Sequence, residues 1–151
     1  MSGESFGMTR PDPSGCGVRR AAKQALGNTP LVELDWIKTH GTGTGLNDAA
    51  ECRGLAALLG NALPRIPLTS LKPTLGHCLG ASSAVETVAV VLAMRSALVP
   101  RTLGTVQVDD ALPPCTIALQ SGKAAAPNIL ILAESFGGRC AALLLRATDR
   151  S

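Results

Sequence analysis

Two histidines, a lysine and a glutamate carry the chemistry that this sequence offers. His40 opens the run His40-Gly-Thr-Gly-Thr-Gly45; Lys72 and His77 lie in Ser70-Leu-Lys-Pro-Thr-Leu-Gly-His-Cys-Leu-Gly-Ala81; Glu86 stands on the apolar run that follows. Two imidazoles converging on one point can donate two hydrogen bonds to an oxyanion, and a buried lysine beside them adds positive field. The helix expected after His77 would add unpaired N–H groups and a partial positive charge at its start. Glu86 sits on an otherwise apolar stretch, where a buried carboxylate needs a partner, and Lys72 or His77 is the candidate. A single loop histidine is more often structural than catalytic. Two of them, each in a glycine-flanked strand-to-helix loop, shift that balance.

The elements that must position these residues read as alternating helices and strands. Ser14 can cap a helix over Gly15–Leu26, with Val18, Ala21, Ala22, Ala25 and Leu26 as its apolar stripe. Leu34–Thr39 alternates like a short strand and runs into the His40 loop. A helix from Asn47 or Asp48 to Leu59 follows, and Asp48 with Glu51 resembles a capping box. Ile66–Leu71 reads as a second strand, leading through the Lys72–His77 loop to a helix over 78–98 that is apolar on nearly every face and so is expected to be buried. Pro100, Gly104 and Pro113-Pro114 mark a long irregular connection. Asn128–Ala133 and Cys140–Ala147 are apolar strands, expected to be covered on both faces, around a Glu134–Gly138 turn. The order implies an α/β layered fold with a mixed sheet, residues 1–14 forming an irregular leading segment and the sheet lacking a strand ahead of the first helix. In such a sheet the first two loops share the edge at the strands' carboxyl ends, which would bring His40, Lys72 and His77 together.

Composition narrows the function classes. At 151 residues the chain is one domain's worth, 46% hydrophobic but only 2% aromatic, so small aliphatic residues must pack helices closely on the sheet. The net charge of +3 is mild and its basic residues are scattered apart from Arg19, Arg20 and Lys23, which argues against nucleic-acid binding. That trio reads as a solvated helix face, or as a docking site for an acidic partner. Five widely spaced cysteines without a C-x-x-C support neither a zinc knuckle nor a disulfide framework and are expected to be reduced thiols. No signal peptide is read in the first residues, and Glu86 and Arg95 argue against membrane insertion of 78–98, so a soluble, cytoplasmic protein is expected. Gly41-Thr-Gly-Thr-Gly45 is neither G-x-G-x-x-G nor a Walker A loop, and no ligand pair has a recognised metal spacing, so no nucleotide and no metal is expected.

Three spaced motifs carry a family resemblance. His40-Gly-Thr-Gly-Thr with Asn47-Asp48 and Glu51, then Lys72-x-x-x-Gly76-His77-x-x-Gly80-Ala81 with Glu86, resemble the second half of a β-ketoacyl synthase, a thiolase-fold condensing enzyme of fatty-acid and polyketide assembly. Met8-Thr-Arg-Pro-Asp-Pro-Ser-Gly resembles the loop entering that half. The resemblance implies a thiolase-like α/β half of βαβαβαββ type spanning 1–151. It implies that His40 and His77 hold the malonyl thioester carbonyl and stabilise the enolate formed on decarboxylation. Lys72, paired with Glu86, would orient and polarise the site, Glu51 would support it, and Thr42 and Thr44 would contact the pantetheine arm.

The partners so implied are an acyl carrier protein, which brings the phosphopantetheine so that no resident cofactor is needed, and a ketosynthase half bearing the nucleophilic cysteine, in a dimeric assembly. None of the five cysteines here stands in the family's nucleophile context, so the chain alone is expected to be inactive. A chain-length-factor-like partner subunit, which keeps the fold without the chemistry, is the alternative. The family's Asn-Ser-Phe-Gly-Phe-Gly-Gly run is shortened here to Glu134-Ser-Phe-Gly-Gly138, so its gating phenylalanine corresponds either to Phe136 or to the position that Glu134 occupies.

Overall fold

The computed structural model describes residues 1–3, 6–124 and 128–147, which leaves residues 4 and 5 of the leading segment and residues 148–151 of the expected domain outside the described residues. In chain order the elements are β1 (Ser2–Gly3), α1 (Cys16–Leu26), β2 (Trp36–Lys38), α2 (Gly45–Leu59), β3 (Pro67–Thr69), α3 (Lys72–Leu75), α4 (Ser82–Arg95), β4 (Leu98–Val99), β5 (Thr116–Ile117), β6 (Gly122–Lys123), β7 (Asn128–Ser135) and β8 (Arg139–Arg146). The main sheet runs β1-β8-β7-β2-β3-β5. Strands β7, β2, β3 and β5 are mutually parallel, and β8 returns antiparallel along the whole of β7. The sheet is therefore mixed, as the alternating pattern implies.

Strand alternation divides the core in two. Ile37, Leu68, Leu130 and Leu132 face α1 and α2, meeting Val18, Ala22, Leu55 and Leu59. Trp36, Ile129 and Ile131 point the other way, against Val90 and Ala93 of α4. Helices thus cover both faces of the parallel strands. Small residues set the spacing as expected. A Cβ on Gly54 of α2 would fall 2.4 Å from the Gly15 carbonyl oxygen, so α1 and α2 touch backbone to backbone.

Several local expectations need correction. Ser14 does not cap α1: the cap is Gly15, in a left-handed conformation with no side-chain hydrogen bond. The capping box at Asp48 and Glu51 is absent, because α2 starts three residues earlier behind Thr44 and Glu51 faces inward. The regular parts of the two short strands are three residues each, and Lys72 opens the four-residue α3 rather than lying in open loop. A two-residue strand, β1, does precede the first helix and pairs with β8. The long connection is not wholly irregular: β5 extends the sheet beside β3, and β4 pairs with β6. Strand β7 is buried along its centre, but β8 is buried outright only at Cys140.

The largest difference concerns α4. Only Ser82, Glu86, Val90 and Ala93 are buried, a single stripe at i, i+4, i+8 and i+11, while Val85, Val88, Val91 and Leu92 are exposed. The apolar residues are where the sequence places them, but within this chain the sheet reaches only one side of the helix. Among the described residues no helix is long and apolar enough to cross a membrane.

Candidate active site

Parallel pairing puts the ends of β2, β3 and β7 on one sheet edge, and each strand delivers one of the three unusual loops there. His40 follows β2, Lys72 follows β3, and Phe136 follows β7. Gly41 is tightly constrained: its φ is 51° and an added Cβ would meet the Ser70 side chain at 2.7 Å, while the Ser70 hydroxyl donates to the Gly41 carbonyl at 2.7 Å. The two loops are thus locked together. Only glycine suits that left-handed, crowded position.

Glu51 does the same work from the helix side. Its carboxylate accepts from the backbone N–H of His40 at 2.6 Å and of Gly41 at 3.0 Å. Burial pushes its pKa up to about 7 despite those two donors. It holds the His40 loop against α2 through these two backbone bonds rather than capping the helix.

At the centre lies a buried charge cluster. Lys72 Nζ donates to Glu86 Oε1 at 2.8 Å and to the His40 carbonyl at 2.5 Å, and stands 3.4 Å from His40 Nδ1. The expected Lys72–Glu86 pair is therefore present. Glu86 has a second partner that the sequence reading missed: Lys38, fully buried, is bonded to its other oxygen. Lys38 is on β2, two residues from Trp36, so alternation aims both at α4. Burial pulls Lys38 below the ordinary lysine range, with Glu86 opposing that pull. Burial pushes Glu86 up, but the hydrogen bonds and charges of Lys38 and Lys72 outweigh it and hold the carboxyl below its usual value. His77, the other candidate partner of Glu86, instead bonds elsewhere.

The two imidazoles are 5.7 Å apart, ring centre to ring centre, and nearly perpendicular at 83°. His40 is buried, and burial first, then the Lys72 and Lys38 charges, bring it down to about 3, so it is neutral at physiological pH. An ammonium can only donate, so His40 Nδ1 facing Lys72 is an acceptor and the ring proton belongs on Nε2. His77 reaches the same tautomer differently. The Leu79 backbone N–H donates to its Nδ1 at 3.2 Å, aided by a left-handed φ of 48° at Leu79, and Ser82 Oγ lies 3.0 Å from the same nitrogen. In the neutral ring the proton is again on Nε2. Two N–H donors and a cationic cluster behind them form a site able to stabilise an oxyanion.

The remaining predicted residues are at the rim. The Thr42 and Thr44 hydroxyls bond each other at 2.8 Å, and Thr42 donates to Asp48 at 3.4 Å. Phe136 is exposed at the β7–β8 turn, which the Gly137 N–H ties to the Met8 carbonyl at 2.7 Å. Thus the loop beginning at Met8 meets the same edge. Among the described residues no cluster of three or more His, Cys, Asp and Glu side chains could hold a metal ion.

The shifts of His40 and Glu51 oppose each other in the pH dependence of stability. His40 has a folded value of about 3 against an ordinary 6.5, so the unfolded chain binds the extra proton and stability falls as pH drops below 6.5. Glu51 is raised from 4.5 to about 7, so its contribution is present at low pH and is lost as pH rises between those values. In the chain with both groups the two slopes largely cancel from pH 5 to 6.5. His40→Gln should unmask the Glu51 slope, so that urea midpoints fall with rising pH over that window, by about 1 kcal/mol per unit. A midpoint that rises with pH in the variant would contradict the assignment of Glu51.

Comparison with known proteins identifies the family and the fold. The family model described as β-ketoacyl synthase, C-terminal domain, matches residues 1–106. A 3-oxoacyl-[acyl-carrier-protein] synthase 2 from Coxiella burnetii is 31% identical over 96% of this chain and 36% of its own length. A type II polyketide ketosynthase, solved with its acyl-carrier protein and bound to a hexaketide, superposes with a TM-score of 0.90 at 27% identity, over 97% of this chain and 36% of that one. The ishigamide ketosynthase/chain length factor superposes at 0.89 with 27% identity, over 98% and 36%. The chain spans about a third of the length of these relatives. With its thiolase-like α/β architecture and its match over residues 1–106, the chain belongs to the β-ketoacyl synthase family and represents the C-terminal domain of that family.

Proposed function

We propose that this chain is the C-terminal part of a β-ketoacyl-[acyl carrier protein] synthase, supplying the His–His–Lys portion of a composite site for decarboxylative Claisen condensation in fatty-acid or polyketide synthesis. The observation that carries the reading is the pair of imidazoles, each with Nδ1 committed so that Nε2–H is its donor. In the reaction the C–C bond to the malonyl carboxylate breaks and CO2 leaves. Its electron pair moves into the thioester, placing negative charge on the carbonyl oxygen, which His40 and His77 stabilise. The enolate carbon then attacks an acyl thioester on a cysteine, whose thiolate departs as the new C–C bond forms. Lys72 positions His40 rather than touching substrate, and Glu86 balances Lys72 and Lys38. Thr42 and Thr44, at the rim, contact the pantetheine arm, Phe136 gates the mouth, and no resident cofactor is needed.

The cysteine comes from the other part of the enzyme, and the exposed apolar face of α4 (Val85, Val88, Val91, Leu92) with the exposed His77 is the surface that part covers. Covering it would also exclude water from the carbanion. The carrier protein brings the substrates, and the assembled enzyme is a dimer. A chain-length-factor-like role, favoured by neighbours solved with such a partner, is the second reading.

The test is reconstitution. The chain, co-expressed with a cysteine-bearing ketosynthase half, should form a complex that releases CO2 from malonyl-carrier protein and extends an acyl chain. The chain alone should do neither. Turnover by the isolated chain would overturn its predicted inactivity; a stable complex without turnover would favour the chain-length-factor role.

A further inference from the structure

Lys38 is fully buried in the charge cluster beside His40, and the proposed reaction gives it no part beyond its bond to Glu86. It stands on β2, two residues ahead of His40, with its side chain turned to α4, where it bonds Glu86 Oε2. Glu86 Oε1 takes Lys72 at 2.8 Å. Lys72 in turn donates to the His40 carbonyl at 2.5 Å and faces His40 Nδ1 at 3.4 Å. An unbroken run of polar contacts thus leads from Lys38 through Glu86 and Lys72 to the His40 ring. An ammonium has three N–H donors, and Lys72 has these three atoms to receive them. A carboxylate oxygen left unpaired in the same buried space would compete for those donors. Lys38 satisfies that oxygen, so Lys72 can stay against His40.

Charge gives Lys38 its larger effect. Lys72 and Glu86 alone form a neutral pair; with Lys38 protonated, the cluster carries a net positive charge. Burial lowers Lys38, and its bond to Glu86 opposes that pull. The other groups around His40 do not cancel the charge where an imidazole titrates. Glu51 on α2, which accepts from the His40 backbone N–H at 2.6 Å, is pushed up to about 7 and is largely uncharged in more acidic solution. Asp48, on the same helix, faces Thr42 at the rim. His77, edge-on to His40 at 5.7 Å, can only add positive charge. A net cation in this place disfavours a proton on His40 Nδ1 and favours negative charge beyond its Nε2–H.

We infer that Lys38 is a positioning residue of the oxyanion site, whose charge, acting through Glu86 and Lys72, holds His40 as a neutral N–H donor. The inference rests on the reading of His40 and His77 as the donors to the thioester oxygen. Lys38 is buried away from substrate, so its effect falls on the rate of decarboxylation and not on substrate binding.

Two measurements test it. The first is made on the chain alone, whose two histidines give two imidazole signals by NMR, assigned with His77→Ala. In the wild-type chain the His40 ring should stay neutral well below the ordinary histidine range. In Lys38→Met and Lys38→Gln alike, its midpoint should rise by about one unit, a tenfold gain in proton affinity. The second uses the enzyme reconstituted with a cysteine-bearing half. There kcat for decarboxylation of malonyl-carrier protein should fall about tenfold in both variants with KM unchanged. A wild-type His40 midpoint near 6.5 would overturn the inference, and that readout needs no variant to fold. So would wild-type midpoint and rate in Lys38→Gln, since glutamine keeps a hydrogen bond to Glu86 and loses the charge. Full decarboxylation by His40→Ala would instead overturn the reading of the site on which the inference stands. The midpoints measured on the chain alone tell the two failures apart.

Discussion

Glu86→Ala is expected to lower the stability of the chain by about 3–5 kcal/mol, read as a large drop in the urea midpoint. The expectation follows from what the substitution leaves behind. Lys38 is fully buried and Lys72 nearly so, and Glu86 is the carboxylate bonded to both. Removing it leaves two ammonium groups in a poorly solvated space, each repelling the other and both bearing on His40. Lys38 would respond by giving up its proton, since burial already lowers it and Glu86 is the main opposing influence. A rescue separates charge from shape. Adding Lys38→Met to Glu86→Ala removes one of the stranded charges and should recover a substantial part of the loss, whereas Glu86→Gln, nearly the same shape, should remain strongly destabilised. A loss under 1 kcal/mol for Glu86→Ala would mean that the lysines reach water and the cluster is not the anchor described.

Much of this arrangement is legible in the sequence because it depends on local spacing. Glycine-flanked His40 and His77 mark strand-to-helix loops, and a carboxylate on an apolar helix asks for a basic partner. What is not legible depends on which elements meet. Lys38 sits in a stretch that reads as an ordinary half-exposed strand; that it is buried follows only once β2 is central in the sheet and α4 lies across the face holding Trp36 and Lys38. Glu51 shows a capping-box spacing, yet α2 begins earlier than the spacing suggests, and the carboxylate turns to the backbone of the neighbouring loop. The apolarity of α4 signals burial without saying what buries it. Here the sheet covers one stripe, and the rest stands open.

His40→Ala and His77→Ala, each in the enzyme reconstituted with a cysteine-bearing half, should reduce decarboxylation of malonyl-carrier protein by roughly 10²–10³-fold, the usual effect of losing one oxyanion donor. The two variants should differ in the other half-reaction. His40 is buried, and its Nδ1 is committed to Lys72, so its remaining N–H serves the malonyl carbonyl; acylation of the partner's cysteine should survive His40→Ala nearly intact. His77 is held by the Leu79 backbone and is exposed on the face that the cysteine-bearing part is proposed to cover, so it lies toward the thiolate and His77→Ala should also slow acylation. Since both donors act on one developing charge, the double variant should lose less than the product of the single losses. Lys72→Met tests the positioning role: with the ammonium gone, His40 Nδ1 loses the donor that fixes its tautomer, and the acid limb of the pH profile for decarboxylation should move upward as His40 becomes easier to protonate. An unshifted profile would leave Lys72 a purely structural residue. Retention of full decarboxylation by both histidine variants would remove this chain from the chemistry and leave it the role of a subunit that shapes its neighbour's cavity.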